Sequence, residues 1–235
     1  MSVREKPIIF SSPMVRAILE GRKTQTRRVI KPERVFRSLS PYTEGQFDER
    51  GNFSYRSASN VTGMICLQDP NIAKQWCHYS RCDKYNEPFG RLWVRESWAV
   101  RLDQDHISPR DLPSKHLNSV GYWADGPGKC CNTGCAGAAG KIRPSIFMPR
   151  WASRILLEIT NIRVERLQEI SEEDAIAEGI DGPLCAQYAT HAPSRHHLLP
   201  VSVHAFFGLF ESINGPGSWD TNPFVWVISF KKIET

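Results

Sequence analysis

The chain has 235 residues, of which 40% are hydrophobic and 23% charged, an ordinary composition for a globular protein in water. No apolar run approaches the ~18 residues that a membrane-spanning helix requires, so the sequence predicts neither a membrane span nor a membrane partner. The N-terminal residues lack the apolar core of a signal peptide. The seven cysteines are unevenly spaced, which fits free thiols better than a disulfide framework. Together these features predict a cytoplasmic protein.

The first elements predicted from the sequence are a short strand over 6–10 and a helix that follows it. Ser12 is placed to cap this helix, and apolar residues at helical spacing give it one buried stripe. Gly21 is placed to end it in the left-handed conformation. An irregular turn then leads into a second strand that ends near Ile30.

The segment 16–37 carries the most concentrated charge in the chain. It contains eight Lys or Arg and two Glu, a net +6, whereas the whole chain is only +5. The positive field is therefore local. A cationic patch that includes hydroxyl groups suits an anionic ligand such as a nucleotide or a nucleic acid. A solvated basic face is the alternative for a charge run of this kind.

Two long stretches, 38–88 and 101–142, have few periodic apolar residues and little predicted regular structure. Neither has enough of them to bury a core of its own, so we expect both to be insertions in a single domain over 1–235. Between them, 91–100 is predicted to be a buried strand that is interrupted by the ion-capable pair Arg95-Glu96.

The strongest β pattern lies at 148–167, where apolar residues alternate. It fits two strands joined by a tight turn or one bent strand. Ser171 resembles the first residue of a capping box that opens a short helix, and Gly179 is placed to close it. The stretch 181–200 is predicted to be a loop.

The C-terminal part contains an amphipathic helix from about Val203 to Asn214 and a last strand over 224–230. The elements number about five strands and three helices, which places the chain in the α+β class. A sheet with so few helices removes its edges by closing, so we expect a small closed or half-closed barrel with the two insertions on its rim.

Three motifs resemble those of the ASCH domain, a branch of the PUA-like superfamily. The first follows the first helix and consists of Gly21, Lys23, Thr26, and Arg27 or Arg28. The second is an apolar strand that runs into Arg95-Glu96. The third is Glu-Asp-Ala-x-x-Glu-Gly at 173–179. The resemblance covers less than half of the chain, and the long form resembles proteins carried by bacteriophages and prophages.

The resemblance implies a PUA-like β-barrel of about five to six strands with flanking helices, in the bacterial cytosol. The family includes suspected RNA binders, a ribonuclease-type activity, and small amidohydrolases that remove the acetyl group from N(4)-acetylcytidine. By match to the amidohydrolases, the catalytic residues would be Lys23, Thr26 and Glu178. Gln25 and Thr26 occupy the region where the family more often has a Glu, which favours this variant.

The resemblance therefore implies an amidohydrolase that acts on an acylated cytidine without a cofactor. The residues expected to contact the nucleoside or RNA are Arg22, Arg27, Arg28, Arg95 and Glu96. Two alternatives remain open, a non-catalytic RNA-binding module and a ribonuclease. For Arg95 and Glu96, a salt bridge that holds a strand in place is the alternative to ligand binding.

The three catalytic candidates allow two chemical routes. In one, Thr26 attacks the amide carbon after Lys23, with a pKa lowered by nearby arginines, takes its proton. Glu178, at a helix end, then protonates the departing amine. In the other, Glu178 activates a water while Lys23 stabilises the oxyanion. Side chains three residues apart in a strand lie on opposite faces, about 10 Å apart, so the first route requires a turn or bulge.

Two clusters contain the residue types that bind zinc. The first is Cys77-His78 with Cys82, and the second is Cys130-Cys131 with Cys135. Neither has the two-residue Cys spacing of common zinc modules. The sequence therefore predicts no metal site and free thiols in loops.

Overall fold

A computed structural model provides the structure of this chain. It describes residues 4–30, 44–49, 52–56, 62–65, 90–112, 120–126, 140–188 and 199–234. Contacts divide the chain into two compact units. The first comprises Met1–Gly21, Arg91–Glu158 and Lys232–Thr235, and the second Arg22–Gly90 and Ile159–Lys231. The organisation as one domain with two insertions remains a prediction.

The described ranges contain ten strands and four α-helices. The strands are β1 (Glu5–Ile9), β2 (Gln25–Val29), β3 (Glu44–Phe47), β4 (Phe53–Arg56), β5 (Thr62–Ile65), β6 (Arg91–Arg95), β7 (Trp98–Ala99), β8 (Gly121–Tyr122), β9 (Leu156–Arg166) and β10 (Phe224–Ile233). The helices are α1 (Ser12–Leu19), α2 (Glu172–Ala177), α3 (Gly182–Tyr188) and α4 (Val201–Asn214).

These strands form a five-stranded sheet in the order β1-β6-β9-β10-β2, a three-stranded sheet β3-β4-β5, and a two-stranded sheet β7-β8. The predicted α+β class is confirmed. No closed barrel is found among the described strands, since β1 and β2 stand at the two ends of the larger sheet.

In the first unit, β1 pairs in parallel with β6, with Ile8 opposite Val94, and β6 pairs antiparallel with the start of β9. The cap residue of α1 is Ser11, one residue before the predicted Ser12, and its side chain makes no capping hydrogen bond. Pro13 lies in the first turn, where a missing N–H costs nothing. Gly21 has φ +77°, as predicted for a helix end in the left-handed region.

A compact apolar cluster forms in the first unit around Trp98. Its buried members are Trp98, Val100, Leu112, Val120, Tyr122, Met148 and Ala152. Three of these residues belong to the stretch 101–142. Part of this predicted insertion therefore packs into a core together with residues that flank it.

In the second unit, β2 pairs antiparallel with β10, with Thr26 opposite Ile228. The strand β9 runs unbroken for 11 residues, so the single-strand alternative is correct. The ring of Trp219 lies within 5.3–6.5 Å of three phenylalanine rings of α4, which gives this helix its buried face.

Two expectations about irregular segments were wrong. The stretch 181–200 contains α3, which is capped where the Asp181 carboxylate accepts a hydrogen bond from the Leu184 backbone N–H at 3.0 Å. The stretch 38–88 contains the antiparallel sheet β3-β4-β5. Such short elements leave little periodic trace in a sequence, because pairing stabilises the strands and packing against α4 stabilises α3.

Candidate functional site

The turn between α1 and β2 closes the C-terminal end of α2. The Thr24 backbone N–H donates to the carbonyl oxygen of Ala177 at 2.9 Å, and Lys23 Nζ donates to that of Glu178 at 2.7 Å. At the other end of the helix, the Ser171 hydroxyl accepts from the Asp174 N–H, as the capping pattern predicts. The motif with Lys23 is therefore folded against the motif with Glu178.

Lys23 and Glu178 form a buried ion pair in which Nζ lies 2.8 Å from Oε2. Lys23 is 3% and Glu178 4% exposed. The ammonium group also donates to the backbone oxygens of Gln25 and Glu178, so three acceptors match its three N–H bonds. These two residues, which lie far apart in sequence, are therefore in direct contact.

Burial lowers the pKa of Lys23, because the charged form loses its hydration. The carboxylate of Glu178 opposes this effect by direct charge and hydrogen bonding, while Arg28 and Arg27 add to it by repulsion. The net shift is downward. A lysine with a lowered pKa, fixed against a carboxylate, is typical of functional sites.

Around this pair, Arg27 extends the network of buried charges. Its Nη2 lies 2.6 Å from Asp174 Oδ2 and 3.0 Å from Glu165 Oε2. Asp174 also accepts a hydrogen bond from Gln25 Nε2 at 2.8 Å and binds Arg163 at 3.1 Å. The network therefore holds three cationic and three anionic side chains.

Asp174 has a lowered pKa although its burial acts to raise it. The hydrogen bond from Gln25 and the positive charges of Arg27 and Arg163 outweigh the loss of hydration. Asp174 is thus held as an anion, and it fixes the side chains that emerge from one face of β2.

Three atoms of Arg27 and Glu178 have no hydrogen bond within the described part of the chain, namely Arg27 Nε, Arg27 Nη1 and Glu178 Oε1. Arg27 Nη1 lies 3.5 Å from Glu178 Oε1, an ion pair whose geometry does not make a hydrogen bond, and neither atom has another partner there. An unsatisfied buried donor or acceptor costs about 1–3 kcal/mol. Arg27 Nη1 and Glu178 Oε1 therefore face each other as an ion pair in which neither atom makes a hydrogen bond.

Thr26 is buried, but it lies on the other face of β2. Its neighbours Gln25 and Arg27 both direct their side chains to Asp174, and strand side chains alternate between faces. Among the described residues, no hydrogen bond joins Thr26 to Lys23 or Glu178. The structure brings two of the three catalytic candidates together and leaves the third in the adjoining strand.

The other basic residues near the first motif, Arg22 and Arg28, differ in their burial and in their partners. Arg22 forms an ion pair with Asp181 at 3.1 Å and also donates to the Gly179 carbonyl oxygen. Arg28 is half-buried opposite Trp226. Because Lys23 and Arg27 are buried in ion pairs, their charges do not add to an exposed cationic surface. The local charge excess of 16–37 is partly an internal network.

In the first unit, Glu96 pairs with Arg154 rather than with its neighbour Arg95. Arg154 Nε and Nη2 lie 2.9 and 3.1 Å from the Glu96 carboxylate, and Arg154 also binds Asp125 at 2.8 Å. Burial raises the pKa of Glu96, and the contact with Arg154 only partly offsets it. Glu96 is thus held in a salt bridge, but its partner is Arg154 and not Arg95, whose guanidinium lies over the Trp93 ring at 4.6 Å.

Several members of the network were missed by the sequence analysis, namely Gln25, Arg163, Glu165 and Asp174. The sequence nevertheless contained signals that place three of them. Arg163 and Glu165 alternate with buried residues in β9, which places both side chains on one face. Asp174 belongs to the third motif. Only the fold reveals that these residues converge.

Both cysteine clusters lie outside the described residues. The described ranges contain no group of side chains that could hold a metal ion. No helix within them is long and apolar enough to cross a membrane. Comparison of the chain with models of protein families, with curated proteins and with solved structures gave no match.

Proposed function

We propose that this protein is an amidohydrolase of the ASCH type that removes an acyl group from a modified cytidine. The observation that carries the proposal is the buried contact of Lys23 with Glu178, beside Arg27 Nη1 and Glu178 Oε1, which face each other at 3.5 Å without a hydrogen bond. The motif resemblance supplies the substrate class. On the same basis we infer a half-closed PUA-like barrel core, phage or prophage origin, and action in the bacterial cytosol.

The first step of the proposed reaction is the attack of water on the acyl carbon. Glu178 Oε1 accepts a proton from the water, whose oxygen forms a bond to that carbon. The electron pair of the carbonyl bond moves onto its oxygen, and the N–H of Arg27 Nη1 stabilises the resulting oxyanion. Lys23 holds the other carboxylate oxygen, which orients Glu178 for this transfer.

In the second step the tetrahedral intermediate breaks down. The electron pair of the oxyanion re-forms the carbonyl bond, the bond between the acyl carbon and the cytidine nitrogen breaks with its electron pair going to the nitrogen, and Glu178 returns its proton to that nitrogen. The products are the carboxylic acid and cytidine, so atoms and charge balance with one water consumed. Because Glu178 Oε1 is buried, the substrate reaches it only when neighbouring groups move aside.

The water route is preferred to covalent attack by Thr26. Covalent attack requires a base within hydrogen-bond distance of the threonine hydroxyl. No such contact with Lys23 occurs among the described residues, and the alternation of β2 side chains places Thr26 on the opposite face from Gln25 and Arg27. Thr26 is then a buried strand residue beside the site.

The test is release of acetate and cytidine from N(4)-acetylcytidine, presented as the nucleoside and within RNA. We expect Glu178→Gln to abolish turnover, because the amide cannot accept or return the proton. Glu172→Gln is the matched control, since it makes the same change at an exposed position of α2. Thr26→Ala retains activity under the water route. Loss of turnover in Thr26→Ala with an unchanged fold would restore the covalent route, and a wild-type protein that releases no acetate would overturn the proposal.

A further inference from the structure

The first unit contains a cleft of about 800 Å³ that shares no residue with the Lys23–Glu178 pair. It is lined by the end of β6 and by residues of 105–110 and 141–149. Four of its lining residues are cations, Arg95, Arg110, Lys141 and Arg143, and one is a carboxylate, Asp105. We call it the Arg95 cleft.

One cation and the carboxylate of this cleft are used to build its wall. The Arg143 guanidinium donates to the backbone oxygens of Gln104, Asp105 and Ile107 at 3.0–3.3 Å. Asp105 Oδ2 accepts from the Lys141 backbone N–H at 2.7 Å. These bonds hold 104–107 against 141–143. The Asp105 carboxylate, whose Oδ1 lies 3.9 Å from Arg143 Nη2, is paired with Arg143 and not with the other three cations.

The other three cations, Arg95, Arg110 and Lys141, form no ion pair and no side-chain hydrogen bond with any described residue. Arg95 Nε is buried and has no hydrogen-bond partner there, while its guanidinium stacks on Trp93. A buried donor without a partner is costly, and an anion in the cleft would supply the missing acceptor. Three unpaired cations around one cleft favour an anionic ligand.

The same cleft also exposes apolar side chains. Phe147 is 59% exposed and Ile142 is 49% exposed, although both line the cleft beside Lys141. An exposed aromatic ring next to cations is the arrangement on which nucleic acid bases stack while their phosphates are bound. A simple inorganic anion would make no use of this surface.

We propose that the Arg95 cleft binds a nucleotide, with its phosphate at Arg95, Arg110 and Lys141 and its base against Phe147. The nucleotide is free or part of a single strand, since both present the same phosphate and base. This proposal does not depend on the hydrolysis at Lys23 and Glu178, because the two sites share no residue.

The test measures binding of the full chain to three probes: a short oligouridylate, adenosine monophosphate and inorganic phosphate. Fluorescence anisotropy and calorimetry are suitable methods. We expect Arg95→Gln to weaken binding about tenfold or more, as loss of a charge-assisted hydrogen bond does. Lys141→Gln, at an exposed position, should reduce the salt slope for the oligonucleotide by about 0.7. Arg101→Gln removes the same charge from an exposed ion pair outside the cleft and should leave binding unchanged.

Phe147→Ala distinguishes binding of a nucleotide from binding of a simple anion. We expect it to weaken binding of adenosine monophosphate and the oligonucleotide while leaving that of inorganic phosphate unaltered. Binding of the oligonucleotide alone supports a strand as the ligand, and equal binding of the mononucleotide supports a free nucleotide. Equal affinity for all three probes, or equal affinity of wild type, Arg95→Gln and Lys141→Gln, would overturn the proposal.

Discussion

Lys23 is bound to Glu178 at two oxygens, the carboxylate Oε2 at 2.8 Å and the backbone carbonyl at 2.7 Å. One ammonium group therefore neutralises a buried carboxylate and also satisfies a carbonyl at the end of α2. The contact is at once a candidate for catalysis and a cap that attaches the first motif to the third. Stability and activity measurements together separate these two roles.

Lys23→Met should destabilise the protein by about 3–5 kcal/mol, because it leaves the Glu178 carboxylate buried without its main counterion. The double variant Lys23→Met with Glu178→Gln should be more stable than Lys23→Met alone, since the uncompensated charge is then gone. Unfolding in urea, followed by circular dichroism, measures both differences. Equal stability of the single and double variants would show that Glu178 does not depend on Lys23 for its charge balance.

Asp174 should make the stability of the protein sensitive to acid. Its pKa is lower in the folded chain than the ordinary value of 3.8, so its ion pairs stabilise the fold above that value. This stability is lost as the pH falls through the folded-state pKa. The stability difference between wild type and Asp174→Asn should therefore shrink below about pH 4. Urea titrations at a series of pH values measure it, and a constant difference would contradict the expectation.

Glu96 should show the opposite dependence on pH. Burial raises its pKa above the ordinary value of 4.5, so the charged form is disfavoured in the folded chain. The penalty is present above the folded-state pKa and is relieved as the pH falls through it. Relative to Glu96→Gln, wild type should gain stability as the pH is lowered from neutrality. A loss of relative stability over this range would show that the pairing with Arg154 outweighs burial.

Gly140→Ala should destabilise the first unit. A Cβ at this position would lie 2.8 Å from the Val100 carbonyl oxygen and would collide with the Asp105 side chain, and the backbone oxygen cannot turn away. Overpacking of this kind costs about 1–3 kcal/mol.

Gly182→Ala is the control for this substitution, because a Cβ there meets no atom within 4 Å and the residue begins α3. It should be close to neutral, because the higher helix propensity of Ala is offset by the restriction that Pro183 places on the residue before it. Thermal unfolding of the two variants compares them directly, and similar melting temperatures would contradict the packing argument.

Much of the local structure was predictable because it depends on neighbours in the chain. The cap at Ser171 and the left-handed residues Gly21 and Gly179 follow from backbone preferences that act within one turn. The helix α4 follows from apolar residues at helical spacing. The predicted cap of α1 was one residue too late, because Ser11 and Ser12 are equivalent in pattern and only the backbone conformation separates them.

The candidate site was predictable only in part. Lys23 and Glu178 were identified by motif, whereas their direct contact was left open by the sequence and is found only in the structure. The role of Arg27 changed, because it was expected to bind a ligand at the surface and is instead buried between Asp174 and Glu165. A count of charges along the chain cannot distinguish an arginine exposed at the surface from one buried in ion pairs, because the count does not include the acidic residues that folding brings near.

The sequence by itself determined the α+β class, the Ser171 cap of α2, the glycine ends of α1 and α2, and the identity of the residues that carry charge. Each of these depends on interactions within a few positions, where chain connectivity fixes the partner. The tertiary structure alone decided that Arg154 rather than Arg95 pairs with Glu96, and that Arg95 lines a cleft instead. Such pairings join residues 58 positions apart. They are set by which strands lie side by side, and that choice depends on the burial of the whole core rather than on any local pattern.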